Sequence, residues 1–180
     1  MPDDFFSFVT RGEFKKALRC LSFETAARSL AQQCRYNGTT SQFYSVAQHC
    51  VLISERWPAD DPRAVWGLLH DLHECVIGDI IKPVRDKLLW QAGEYWLPTN
   101  QIEGLLLHET QKRFGLDPIP QDVLLADRLI AVDEMLLLFR CPSIHPRARR
   151  LGVTIEPVGP KDAETLFVER ARKLGVDGLF

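Results

Sequence analysis

Helix punctuation constrains this chain more than any other feature of its sequence. Start and stop signals cut it into helix-length segments whose apolar residues repeat at helical period. Ser22 stands as a cap before Phe23, Ala26, Ala27 and Leu30, which share one side of a helix expected to reach about Cys34. Asn37-Gly38 supplies a turn. Ser45-Val46-Ala47-Gln48 has the form of a capping box and opens a helix that runs to about Trp57, where Pro58 stops it. Asp61-Pro62 provides a cap and a first-turn proline for a helix expected from Arg63 to about Cys75 and closed by Gly78. A shorter helix is expected between Lys82 and Tyr95, and a longer one from Thr99 to about Phe114, before Gly115. The segment from Gln121 to about Phe139 is apolar around much of its circumference, as in a buried helix. A last amphipathic helix is expected near Asp162–Leu174. Residues 1–20 carry the weakest pattern, with a short hairpin around Arg11-Gly12 as the expectation. Six or seven helices with short connections make an all-α bundle, read as one domain over 1–180.

Composition narrows the function classes. A net charge of −2 gives no broad basic face for a nucleic-acid polymer, and Arg147, Arg149 and Arg150 read as a solvated loop. No apolar run approaches the roughly 20 residues of a membrane span, and the acidic start Met1-Pro2-Asp3-Asp4 lacks the pattern of a secretory signal. Cys20, Cys34, Cys50, Cys75 and Cys141 are odd in number and form no CxxC pair. Free thiols in a reducing cytoplasm are therefore expected, without cysteine-held zinc.

The chemistry centres on His70-Asp71. Adjacent residues on a helix differ by about 100° in direction, so both reach one ion only near a helix end. Glu74 shares their face and Asp79 follows the turn. Acids beside the apolar run Val65–Leu69 are costly to bury unpaired, and a cation would balance them; a solvated helix end is the bland alternative. His49 faces the apolar side of its helix with Val46 and Ile53, and Asp127 sits within the most apolar helix. Two histidines and two carboxylates form a mixed N/O donor set suited to zinc, manganese, cobalt or iron rather than calcium. His73 reads as packing or support for the ligands, His108 as core or interface, and His145 as solvent-facing. Asp133-Glu134, two turns past Asp127, is weighed for a substrate contact or a supporting role. Trp66, Trp90 and Trp96 read as core or interface rather than a base-stacking platform.

Taken in order, Cys34-Arg35-Tyr36-Asn37-Gly38, Phe43-Tyr44-Ser45-Val46-Ala47-Gln48-His49, Leu69-His70-Asp71-Leu72-His73-Glu74, Gly78-Asp79-Ile80-Ile81-Lys82-Pro83-Val84 and Ala126-Asp127 resemble the H…HD…D pattern of the HD-domain phosphohydrolase superfamily. The likeness spans about residues 26–138. Within the superfamily it looks like the branch that contains 5′-deoxynucleotidases and small phage-type deoxynucleotide hydrolases. The resemblance implies an HD-domain helical bundle with His49, His70, Asp71 and Asp127 as ligands of a divalent transition metal, and magnesium arriving with substrate. It implies catalytic roles for Glu74 and Asp79, a phosphate contact for Arg35 and a place beside the nucleoside for Tyr36. Cys50 replaces a frequent serine. Lys82 stands where threonine or serine is common, and a phosphate contact is the expectation for it. The implied activity is hydrolysis of deoxynucleoside 5′-phosphates, by a homo-oligomer in the cytoplasm of a bacterium or a phage-infected host. The competing reading is a metal-bound nucleotide sensor without catalysis.

Overall fold

The computed structural model describes residues 4–139 and 148–179; expectations placed on Cys141, His145 and Arg147 lie outside them. Helices α1 (Asp4–Thr10) and α2 (Phe14–Arg19) turn on Gly12, whose φ of +69° is the left-handed conformation that glycine adopts without strain. The turn expected at Arg11-Gly12 is therefore present, but it joins helices rather than strands. Phe14, Ala17 and Leu18 repeat at helical spacing and are buried together.

Helix α3 (Phe23–Gln32) begins where Ser22 accepts the backbone N–H of Thr25 at 3.2 Å. Helix α4 (Val46–Ser54) begins where Ser45 accepts that of Gln48 at 3.1 Å. Both caps satisfy N–H groups that a helix start leaves orphaned. Asp61 does the same for Arg63 at 2.9 Å, opening α5 (Pro62–Leu69).

The long helix expected from Arg63 to Cys75 stops at Leu69. Past it the backbone closes in tighter three-residue steps, with Leu72 N–H donating to Leu69 and Glu74 N–H to Asp71. A short helix α6 (Glu74–Ile77) follows and ends at Gly78, with φ of +80°. The helix expected over Lys82 to Tyr95 is also corrected. One turn, α7 (Lys82–Arg85), leads into a hairpin of β1 (Leu89–Ala92) and β2 (Tyr95–Pro98), paired antiparallel with Ala92 opposite Tyr95 across Gly93-Glu94. Aromatic residues on either side of a glycine turn stabilise strands better than one amphipathic helix.

Helices α8 (Thr99–Arg113), α9 (Gln121–Leu138) and α10 (Pro160–Leu174) match their expected bounds closely. The fold is all-α apart from the hairpin, and short turns such as α2, α6 and α7 carry it past six or seven helices. Among the described residues no helix is long and apolar enough to cross a membrane. Helix α9 is not enclosed: Val123, Ala126 and Ile130 face the core, while Leu125, Met135 and Leu137 are exposed. Trp66 is core, with its indole N–H bonded to Asp117; Trp90 is half-buried edge-on to Phe14, and Trp96 is exposed on the hairpin.

Helix α10 lies against α3, α4 and α5 and clamps the end of α4. Arg170, itself buried, donates to the Ser54 hydroxyl at 2.8 Å, the Ser54 carbonyl at 2.7 Å and the Trp57 carbonyl at 3.0 Å. Helices α4 and α5, which bring His49 and His70 together, meet at Gly67, where an added Cβ would lie 2.7 Å from the Ser54 Cα. Backbone cannot yield there as a flexible side chain could. Gly67→Ala is expected to lower stability by about 1–3 kcal/mol, read as a lower urea midpoint at unchanged m-value.

Candidate metal centre

His49 is fully buried on α4, and Glu134 of α9 fixes its orientation. The Glu134 carboxylate can only accept, so the contact of 2.7 Å makes His49 Nδ1 the donor and turns Nε2 toward the cluster. His70 caps the end of α5, where its Nδ1 lies 3.0 Å from the Gly67 carbonyl. A carbonyl also only accepts, so Nδ1 carries the hydrogen and Nε2 keeps its lone pair. Both Nε2 atoms are buried without a hydrogen-bond partner. Outer partners on Nδ1 with Nε2 left facing inward are what metal-binding histidines show.

The carboxylates complete the set. Asp127 Oδ1 lies 3.2 Å from His49 Nε2 and 3.9 Å from His70 Nε2. Asp71 Oδ2 lies 3.2 Å from His70 Nε2 and 3.6 Å from His49 Nε2. The 3.2 Å approaches lack hydrogen-bond geometry at the nitrogens. Atoms aimed at a shared ion sit at about this separation, because each lies about 2.0–2.2 Å from the metal. The donor set therefore fits a divalent cation. The break after Leu69 is what allows it: His70 and Asp71, freed from the angular spread of a continuous helix, both reach the centre. Cys50 is also within reach of His70 and Asp71, but burial and the neighbouring carboxylates hold its thiol far above the usual range, making it the weaker ligand.

Glu134 also accepts from the Tyr36 hydroxyl and lies 3.4 Å from Arg35 Nη2. Burial alone would raise its pKa, but Arg35 and His49 hold it well below the usual carboxylate range. Arg35, whose side chain is 11% exposed, extends Nη1 to within 3.6 Å of Asp71. Tyr36 and Asn37 adopt left-handed backbone, with φ of 56° and 53°. Such strain, about 1–3 kcal/mol per residue, directs the Tyr36 N–H to Asp79 at 3.1 Å and its ring edge-on to Phe139. Asp79 donates its own N–H to Gln33 at 3.2 Å.

Glu74 is buried, and its Oε2 has no hydrogen-bond partner. Burial, with Asp71 and Asp79 adding negative charge, drives its pKa well above the ordinary value. Burial raises that of Asp79 against the pull of Arg35. Of the residues singled out in the sequence, His49, His70, Asp71 and Asp127 converge, with Glu74 beside Asp71, Arg35 against Asp71 and Glu134, and Tyr36 and Asp79 joined at one edge. Lys82 does not join them: its side chain is 72% exposed and pairs with Asp86 at 3.0 Å. His108 is exposed on α8 rather than in the core, and Arg149 and Arg150 are exposed as expected for a solvated loop. Asp133 is buried and accepts the Gly152 N–H at 2.8 Å.

No family model matches the chain. It is 30% identical over 154 residues to the uncharacterized protein YfdR of Escherichia coli K12, covering 82% of this chain and 81% of that protein. The chain belongs to the YfdR family. An uncharacterized protein of Rhodobacter capsulatus, RCAP_rcc00048, is 32% identical over 123 residues, which is 62% of this chain and 59% of that protein. This member of the YfdR family thus combines a helical fold with a buried His/Asp cluster compatible with an HD-type metal site.

Two outcomes follow from this geometry. Glu134→Ala removes the group that orients His49, so metal affinity is expected to fall about 10–100-fold, measured by competition with a chromogenic chelator. Burial and Arg35 push the metal-free His49 imidazole toward neutrality, but Glu134 and Asp127 outweigh them and raise its pKa from 6.5 to about 9. The stabilisation from that proton is complete below pH 6.5 and disappears as pH rises through about 9. A metal must displace the same proton, so apparent affinity is expected to climb about tenfold per pH unit across this window and level off above it. Metal titrations at several pH values check the slope.

Proposed function

We propose that this chain is a metal-dependent phosphohydrolase of deoxynucleoside 5′-phosphates, releasing phosphate from a monophosphate or tri- or pyrophosphate from a dNTP. The observation that carries the reading is the inward-facing pair of histidine Nε2 atoms flanked by Asp71 and Asp127, with the Arg35 guanidinium against the same Asp71. The order of motifs, which resembles that of HD-domain phosphohydrolases, supports the same class. His49, His70, Asp71 and Asp127 would hold a zinc, manganese, cobalt or iron ion. Such an ion polarises a phosphoryl oxygen and lowers the pKa of bound water.

The chain's own residues supply the rest. Arg35 swings from Asp71 to balance charge on the transferred phosphoryl group, since phosphoryl transfer depends on positioning and charge stabilisation. Tyr36, held by Glu134 and Phe139, gives the nucleoside a flat wall. Glu74 and Asp79 are carboxyl groups beyond the four ligands, and they orient water and manage the proton of the leaving group. Lys82, paired with Asp86 at the surface, has no part in this assignment.

Phosphate, pyrophosphate and triphosphate release from a panel of dNMPs and dNTPs, with Mn²⁺, Co²⁺ or Zn²⁺, tests the reading. Turnover of at least one deoxynucleotide, abolished by chelation, is expected. Asp79→Asn should lower kcat by about 10²–10⁴-fold while retaining metal. A metal-loaded protein that turns over no nucleotide overturns the hydrolase and leaves the nucleotide sensor.

A further inference from the structure

The described residues carry a second donor set contiguous with the first. Asp71, His73 and Glu74 each place a ligand atom within 4.8 Å of the other two. His73 is buried, and its Nδ1 lies 3.1 Å from the His70 carbonyl, which only accepts; Nε2 therefore keeps its lone pair, as in His70. Glu74 is 8% exposed, and its Oε2 has no hydrogen-bond partner. A buried carboxylate oxygen without a donor is a rare arrangement, and it points to something outside the chain.

The donors around the neighbouring carboxylates lead the same way. Asp71 and Asp127 face the histidine Nε2 atoms, Glu134 accepts from Tyr36 and Arg35, and Asp79 accepts the Tyr36 N–H. Glu74 Oε2 is the buried carboxylate oxygen left without a donor among the described residues.

We propose that Asp71 is shared between two divalent cations, the second held by Asp71, His73 and Glu74. This deepens the hydrolase reading and rests on it for the first ion. Two carboxylates and one imidazole suit Mn²⁺ or Mg²⁺ and leave coordination positions open to phosphate oxygens of the substrate. Paired ions clamp the attacking and leaving oxygens of a phosphoryl group from both sides. Glu74 then acts as a ligand, and the proton passes to Asp79, which stands apart from both donor sets on its bond to the Tyr36 N–H.

The test is Mn²⁺ binding to the full chelator-treated chain, followed by elemental analysis and by electron paramagnetic resonance. Wild type should take up two equivalents and show an exchange-coupled signal once the second enters, because a shared carboxylate links the ions. His73→Ala and Glu74→Gln should each lose the second equivalent and keep the signal of an isolated ion. Saturation of wild type at one equivalent overturns the second site, and so does retention of two equivalents in either variant. One equivalent with nucleotide turnover leaves the hydrolase standing, whereas no bound metal overturns both readings.

Discussion

Glu134 is a fully buried carboxylate, and the site depends on how its charge is satisfied. A buried unpaired acid would cost several kcal/mol. Here the donors come from different parts of the fold: His49 from α4, with Arg35 and Tyr36 from the strained turn after α3. Glu134 itself belongs to α9, so one side chain ties two helices and a loop into a fixed arrangement. The same contact that neutralises it also turns His49 Nε2 toward Asp71 and Asp127. The satisfaction of Glu134 and the inward aim of His49 Nε2 are in this way one interaction, and neither can be removed alone.

Around that tie the backbone makes two concessions. The helix through Trp66 stops at Leu69, giving up regular hydrogen bonds so that consecutive residues His70 and Asp71 can face one point. Tyr36 and Asn37 accept left-handed backbone so that one N–H reaches Asp79. The surrounding core over-determines both. Gly67 lets α4 and α5 approach at backbone distance, and Arg170 fixes the end of α4 through Ser54. The helical frame is thus close-packed where α4 meets α5 and irregular at His70-Asp71 and at Tyr36-Asn37.

Much of this was legible in the sequence. Ser22, Ser45 and Asp61 announced their helix starts, and each side chain makes the capping bond. His49 and Asp127 stood out because polar groups on apolar faces need a reason. What the sequence could not display was the break after Leu69, because the apolar pattern continues through Leu72 and the interruption comes from backbone closure. Glu134 was visible only as half of an acidic pair, although its seven-residue spacing from Asp127 places both on one face of α9 and was the available signal. His73 and Glu74 show in the sequence only as neighbours on a helix face; that they bring ligand atoms within 4.8 Å of Asp71 is visible only in the structure. The hairpin after Arg85 was masked because its strands are four residues each, too short for alternation to outweigh a helical reading.

His49, His70, Asp71 and Asp127 are arranged to form one preorganised metal centre. Anomalous diffraction at the absorption edge of the bound metal, from crystals of the metal-loaded protein, shows whether an ion occupies it. A strong peak is expected about 2.0–2.2 Å from both histidine Nε2 atoms and from carboxylate oxygens of Asp71 and Asp127. A metal-loaded crystal whose anomalous peaks all lie elsewhere, with His49 and His70 unliganded, would contradict it.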